Sequence, residues 1–178
     1  SDALCTGHKL PPFYRIEKNA FYDGEWKAGR PHGKGRVFYS DRGAYFEGEF
    51  KDGCAECTDG LFVYPDGTVY RGSVKNSMAN GTGVLTYHNG EFKYEGSWLN
   101  DKPNGHGTET YKDGSKYEGS FMDGLKSGNG KYTWRDGSTY DGNFVNGYME
   151  NYGIQTIPNV EVYKGNFKKN KREGQGTL

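Results

Sequence analysis

Lys116-Tyr117-Glu118-Gly119-Ser120-Phe121 is a phrase that the chain repeats, in altered form, from one end to the other. It returns as Tyr22-Asp23-Gly24-Glu25-Trp26, Tyr94-Glu95-Gly96-Ser97-Trp98, Tyr140-Asp141-Gly142-Asn143-Phe144 and Tyr163-Lys164-Gly165-Asn166-Phe167. With one substitution each it is also present as Phe46-Glu47-Gly48-Glu49-Phe50 and Tyr70-Arg71-Gly72-Ser73-Val74. The leading aromatics fall at 22, 46, 70, 94, 117, 140 and 163, spaced by 24 residues three times and then by 23 three times. Self-similarity at a fixed period of this length marks a repeat array, so every other feature is read per unit.

Each unit opens with a strand of period 2, in which Tyr117, Gly119 and Phe121 share one face and Lys116, Glu118 and Ser120 the other. Seven residues past each anchor stands Gly29, Gly53, Ser77, Asp101, Gly124, Gly147 or Asn170, residue types that favour a chain reversal. A second strand follows, opened by pairs such as Gly81-Thr82-Gly83 or Gly105-His106-Gly107 and closed by Asp66-Gly67, Asn89-Gly90, Asp113-Gly114 or Asp136-Gly137. Each unit is thus one β-hairpin. Seven units predict about fourteen short antiparallel strands, an elongated single-layer sheet of ~65 Å at ~4.8 Å per strand. A hairpin is marginal alone, so stability comes from stacking units, with an aromatic ring lying over each glycine in place of a conventional core.

Composition bounds the rest. A hydrophobic content of 33% with 29 Gly, and a mean hydropathy of -0.97, would fit disorder; 16% aromatics at fixed positions argue for a fold. With 23 basic and 23 acidic residues no global field favours nucleic acid. No apolar run approaches the ~20 residues of a spanning helix, and no signal peptide is visible. Three Cys make no disulfide framework and fit a reducing, cytoplasmic setting. The chain starts at Ser1 without Met and stops at Leu178 inside a repeat, as expected for a piece of a longer protein. Residues 1–20 read as an N-terminal cap or degenerate repeat, with Pro11-Pro12 breaking regular structure, and residues 21–178 as the array.

Tyr-x-Gly-x-Trp/Phe, then Gly-x-Gly, then Asp-Gly, at this period resembles the MORN (membrane occupation and recognition nexus) repeat from Tyr22 to Leu178. Three places depart from it: Cys57 and Asp59 in unit two with Gly60 displaced by one, Asn151 in unit six, and Pro158-Asn159-Val160 before unit seven. The resemblance implies an all-β antiparallel meander of about seven hairpins and a scaffold without catalytic activity. Such repeats occur in junctional membrane proteins, ciliary radial-spoke heads and cytoskeletal organisers. They also occur as modules of lipid kinases and SET-domain methyltransferases.

The residues themselves offer little to an enzyme. His8, His32, His88 and His106 are scattered, and the carboxylates recur at exposed strand positions. No cofactor is expected. A protein partner, supplying a helix or peptide, or a second copy, is expected to meet the aromatic face at Tyr94, Trp98, Tyr117, Phe121, Trp134 and Tyr140. The alternative surface is the outer face at Phe21, Phe38 and Tyr45, continued by Leu61, Val63, Val69 and Val84. Such a patch is normally covered. Residues 1–20, with Leu10, Phe13, Tyr14 and Ile16, or a partner, would do so. The basic run Lys168, Lys169, Lys171 and Arg172, with Lys164, reads either as a contact for anionic phospholipid or as a solvated turn. Cys54 and Cys57, with Cys5 and His8, have the types and number for a structural zinc, against a reading as free thiols and a terminal His.

Overall fold

The computed structural model describes residues 14–87 and 90–177. Among them the chain forms one antiparallel sheet of 16 strands laid down in chain order, each strand pairing with the next except at β5, which β4 bypasses to pair with β6. Fourteen of these are the seven hairpins, running from β2 (Ala20–Lys27) to β16 (Lys171–Thr177). β1 (Tyr14–Glu17) adds to the edge of β2, and the two-residue β5 (Cys54–Ala55) pairs with β4 (Ala44–Lys51) alone.

The sequence sets two kinds of turn on the two long edges of this ribbon. On one edge every turn has two central residues, both at positive φ: Ala28 and Gly29, Asp52 and Gly53, Asn76 and Ser77, Asn100 and Asp101, Asp123 and Gly124, Asn146 and Gly147, Lys169 and Asn170. This is the mirror-image turn whose twist matches that of the flanking strands. Ala28 and Lys169, at φ 48° and 46°, are the two first-position residues there that are neither Asn nor Asp. A side chain in this region costs about 1–2 kcal/mol that Asn largely avoids. Ala28→Asn and Lys169→Asn are therefore each expected to raise stability by about 1 kcal/mol, read as an upward shift in thermal melting; no shift in either would refute the strain. On the other edge Asp66-Gly67, Asp113-Gly114 and Asp136-Gly137 close three-residue loops. There Gly67, Gly114 and Gly137 take positive φ, and each Asp accepts the N–H two residues on at 2.8–2.9 Å.

The two-residue turns are also bonded to one another. Gly53, Ser77, Asp101, Gly124, Gly147 and Asn170 each donate their N–H, at 2.9–3.1 Å, to the carbonyl of Pro31, Ala55, Ala79, Pro103, Lys126 and Met149 of the preceding unit. The return bond depends on residue type. Ala55, Ala79 and Met149 have an N–H, and the facing Ser77, Asp101 and Asn170 accept it through their side chains at 2.6–3.1 Å. Pro31 and Pro103 have no N–H, and the facing Gly53 and Gly124 have no acceptor. Donor and acceptor are present together or absent together in five of the six pairs; Lys126 facing Gly147 is the exception.

A line of glycines, one per strand in the fourteen hairpin strands, crosses the ribbon from Gly24 to Gly176. Its members are paired in register wherever a ladder joins them. The rings lie over it. A Cβ at Gly107 would stand 2.5 Å from the Tyr94 hydroxyl, and one at Gly130 would stand 2.4 Å from that of Tyr117. The hydroxyl has its own task. In most units the register slips between this glycine and the second aromatic, and the tyrosine donates to the carbonyl freed there. Tyr22, Tyr70, Tyr94, Tyr117 and Tyr140 reach Glu25, Ser73, Ser97, Ser120 and Asn143 at 2.8–3.0 Å.

Edge-to-face packing carries the rings from unit to unit. Tyr94 meets Trp98 of its own unit at 5.1 Å and Phe121 of the next at 5.0 Å; Tyr117 meets Phe121 and Phe144 at 5.2 and 4.9 Å. Each buried ring removes ~150–250 Å² from water. This zigzag is the core of a sheet over which the described residues place no second layer.

Unit two solves the same problem with different atoms. Phe46 has no hydroxyl, and the Glu49 carbonyl is taken by the backbone N–H of Glu56 at 2.9 Å. The Cys57 sulfur lies over Gly48 and Gly60, where the other units place a tyrosine oxygen. The two departures compensate each other.

Candidate functional site

The aromatic zigzag has one gap. Val74 stands where the other units carry Trp26, Phe50, Trp98, Phe121, Phe144 and Phe167. Phe62 fills part of the space, 4.4 Å from Phe46 and 6.3 Å from Tyr70. On the same face lies a trench of about 380 Å³, walled by Tyr39, Phe62, Tyr64, Tyr70, Leu85 and Trp98, with Ala44 and Ala79 also lining it; Val74 is buried and does not itself line it. Ala79 is the register partner of Val74. Arg42 enters the trench from a loop on one edge of the ribbon and Asp101 from a turn on the other.

These two charges differ in how they are held. Arg42 lies 5.6 Å over the Tyr39 ring and 3.6 Å from Asp41. Asp101 accepts the Ala79 N–H at 2.6 Å, and no cation pairs with it among the described residues. Burial pushes the Tyr70 phenol up to about 12, and the Asp101 and Cys57 charges add to it. Burial also raises Tyr64, and Asp101 raises it further while Arg42 opposes. The wall is neutral aromatic surface across the physiological range, with one cation and one anion at opposite rims.

Further along the same face sits a polar group that sequence reading missed. Lys126 Nζ lies 2.5 Å from Glu109 Oε2, with 16% and 12% of the side chains exposed. Tyr111 donates its hydroxyl to the same carboxylate oxygen and accepts from Lys126 at 2.8 Å. Burial first, then the bond to Glu109 and its charge, push the Tyr111 phenol far up. Aligning the units would have shown it: Glu109 occupies the column of Val37, Phe62 and Leu85, and Lys126 that of Pro31, Ala55 and Ala79.

Of the residues expected to meet a partner, Tyr94, Tyr117 and Tyr140 are 0% exposed, and Trp98 and Phe121 are also buried. The tyrosine rings are covered by the next unit's second aromatic, and Trp98 and Phe121 pack between tyrosines of adjacent units, so they shape the face without offering surface. Trp134 is half-buried and open to contact. On the outer face Phe21, Phe38 and Tyr45 fall in register on adjacent strands, continued by Val63 and Val69, with Phe38 39% exposed. Tyr14 and Ile16 do not lie across this patch. They extend the sheet edgewise as β1, with Tyr14 packing edge-on against Trp26 at 5.8 Å and Ile16 against the core. Leu10 and Phe13 lie outside the described residues. Next to the patch a broad outer hollow of about 820 Å³ is lined in part by two ion pairs, Arg36 with Glu47 and Arg71 with Asp59, each at 2.7 Å, and also by Asp23, Lys34 and Glu49.

The basic run does not form one patch. Arg172 turns to the aromatic face, 4.6 Å over the Tyr163 ring, bonded to Glu161 and to Gln155 at 2.9 Å. Lys168 pairs with Glu173 at 3.5 Å; Lys164, Lys169 and Lys171 are exposed. For zinc, Cys5 and His8 lie outside the described residues, while Cys57 is spent over Gly48 and Gly60 and Cys54 is exposed. Among the described residues no group of three or more His, Cys, Asp or Glu is placed to hold a metal.

A comparison with curated proteins found no match. Among solved structures the chain is similar to the TCP domain of SAS-4 (dCPAP) of Drosophila melanogaster, solved in complex with a proline-rich motif of Ana2 (dSTIL). The identity is 13% and the TM-score 0.43, and the match covers 76% of this chain and 85% of that one. The MORN repeat family profile matches residues 22–43, 70–92, 94–116, 117–139, 140–159 and 163–178. The unmatched unit is the one in which Phe46 and Cys57 replace the usual tyrosine and glycine geometry. With six of seven units matched and every hairpin in place, the chain belongs to the MORN repeat family.

Proposed function

We propose that the chain is a non-catalytic protein-interaction module that holds a short extended peptide in the trench beside Val74. The observation that carries this is the gap itself. An array that otherwise fills its aromatic face omits one ring at Val74, and the trench lined by the register partner of Val74, Ala79, has apolar walls with Arg42 and Asp101 at opposite rims. A peptide with an apolar centre, a basic side chain at one end and an acidic one at the other matches that layout.

Val74→Phe tests it, because it restores the residue type that the other units carry. The variant is expected to fold as well as the parent, with an equal or higher melting temperature. Panning the chain against a random octapeptide library should return peptides with the paired charges, and Val74→Phe should lose them. Equal binding by the variant would place the peptide elsewhere.

A further inference from the structure

The strands flanking the two-residue turns place one pair of side chains per unit on the outer face, in register at the turn. In units one and seven the pair is Lys27 with Arg30 and Lys168 with Lys171, and units two and three begin theirs with Lys51 and Lys75. In the middle of the array the pattern changes. The pairs are Leu99 with Lys102, Met122 with Leu125, and Val145 with Tyr148. Leu99, Met122, Leu125, Val145 and Tyr148 are 47%, 56%, 48%, 42% and 48% exposed. Three consecutive hairpins thus expose an apolar stripe where the chain elsewhere puts cations, and the turn-to-turn bonds Gly124 to Pro103 and Gly147 to Lys126, both 2.9 Å, hold it as one rail.

We propose that this stripe docks one amphipathic helix of a protein partner, apolar along one seam and acidic towards both ends. Spacing is the first reason. Two strands per unit set the apolar pairs ~10 Å apart, and seven residues of α-helix rise ~10.5 Å. One a/d pair of a heptad repeat therefore meets each hairpin, and about three heptads span the stripe. Charge is the second. Lys75 bounds one end and Lys171 the other, joined by Lys102 and Lys168, whose own pairs with Asp123 at 3.7 Å and Glu173 at 3.5 Å are exposed and exchangeable, so acidic residues near the helix ends find partners. A second copy fits poorly, since a two-fold arrangement would set the Lys75 end of one chain against the Lys168–Lys171 end of the other. An anionic bilayer fits poorly too: Asp101 and Asp123 sit in the turns that would meet it.

The test is fluorescence anisotropy with a labelled three-heptad peptide carrying Leu at a and d, Glu at e and g, and Gln elsewhere. A peptide of the same composition with the heptad order scrambled is the control. The ordered peptide is expected to bind and the scrambled one not. Met122→Lys with Leu125→Lys, which installs the residue type of the terminal units at an exposed site, should weaken binding by about tenfold or more and leave the melting temperature unchanged. No binding of the ordered peptide, equal binding of the scrambled one, or full binding by the double variant would each overturn the proposal. So would anionic-vesicle flotation or self-association that depends on Met122 and Leu125. Val74→Phe should leave this binding intact, so a failure here and a failure at the trench are read separately.

Discussion

Glu109→Leu is expected to destabilise the array by about 3–5 kcal/mol, and Lys126→Leu added to it to return most of that loss. The reason is asymmetry. The pair is nearly enclosed, with rings of Tyr117 and Tyr111 5.1 and 5.5 Å from the Lys126 ammonium. Removing the carboxylate leaves a cation with the two rings and, among the described residues, the Tyr111 oxygen as its one remaining hydrogen-bond partner, in a site largely shielded from water. Removing both charges leaves only an apolar face like that of units two and three. Urea unfolding of the single and double variants measures this. A single variant within about 1 kcal/mol of the parent would show that Lys126 reaches water readily. Two units further on, the same offset joins Gln155 to Arg172, with Glu161 supplying the charge. A neutral acceptor is therefore compatible with this geometry, and Glu109→Gln should cost less than Glu109→Leu.

Gly119→Val is expected to cost about 3 kcal/mol and to split the unfolding of the array in two. A Cβ at Gly119 would lie 2.5 Å from the Gly130 Cα and 2.6 Å from the Tyr117 oxygen. The first is backbone and cannot rotate away. Valine's preference for strands, worth about 1 kcal/mol at best, is too small to compensate. In a one-dimensional array the damage stays local: units on either side keep their own neighbours but lose coupling through unit five. Circular dichroism melting should change from one transition to two. A single transition at an unchanged temperature would mean that the glycine line tolerates side chains and that the rings are held by something else.

The fold was readable because it repeats. The anchors, the turn positions and the glycine beneath each ring are local signals, and seven copies average out their exceptions. The site was read less well, because exposure in a single-layer sheet is not local. Tyr94 and Tyr117 carry the residue type expected of a binding face, yet the ring of the following unit covers them. Arg172 sits in a run of lysines, yet only the register of its strand shows that it faces Tyr163 rather than solvent. Both departures of unit two were visible as substitutions. Their connection was not, since it requires the Cys57 sulfur and the missing Phe46 hydroxyl to claim the same spot. Val74 is visible in the sequence as an irregular copy of the motif; that its register partner Ala79 lines a trench follows only from the strand pairing.

The bonding between neighbouring turns limits how such a protein can be rearranged. At every seam but that of Lys126 with Gly147, units that look interchangeable carry matching keys: proline at one position with glycine in the next turn, or an N–H at that position with Ser, Asp or Asn in the next turn. Moving the fourth unit, with Pro103, in front of the fourth unit's own turn type would leave Asp101 without its donor. Setting the third unit, with Ala79, before the Gly124 turn would leave an N–H without its acceptor. Duplicating the second, fourth or sixth hairpin alone would thus create a mismatched seam, whereas duplicating the third, which carries both Ser77 and Ala79, or copying a block cut at a proline–glycine seam and rejoined to another, would not. The order of the units is written into their edges as well as into their faces.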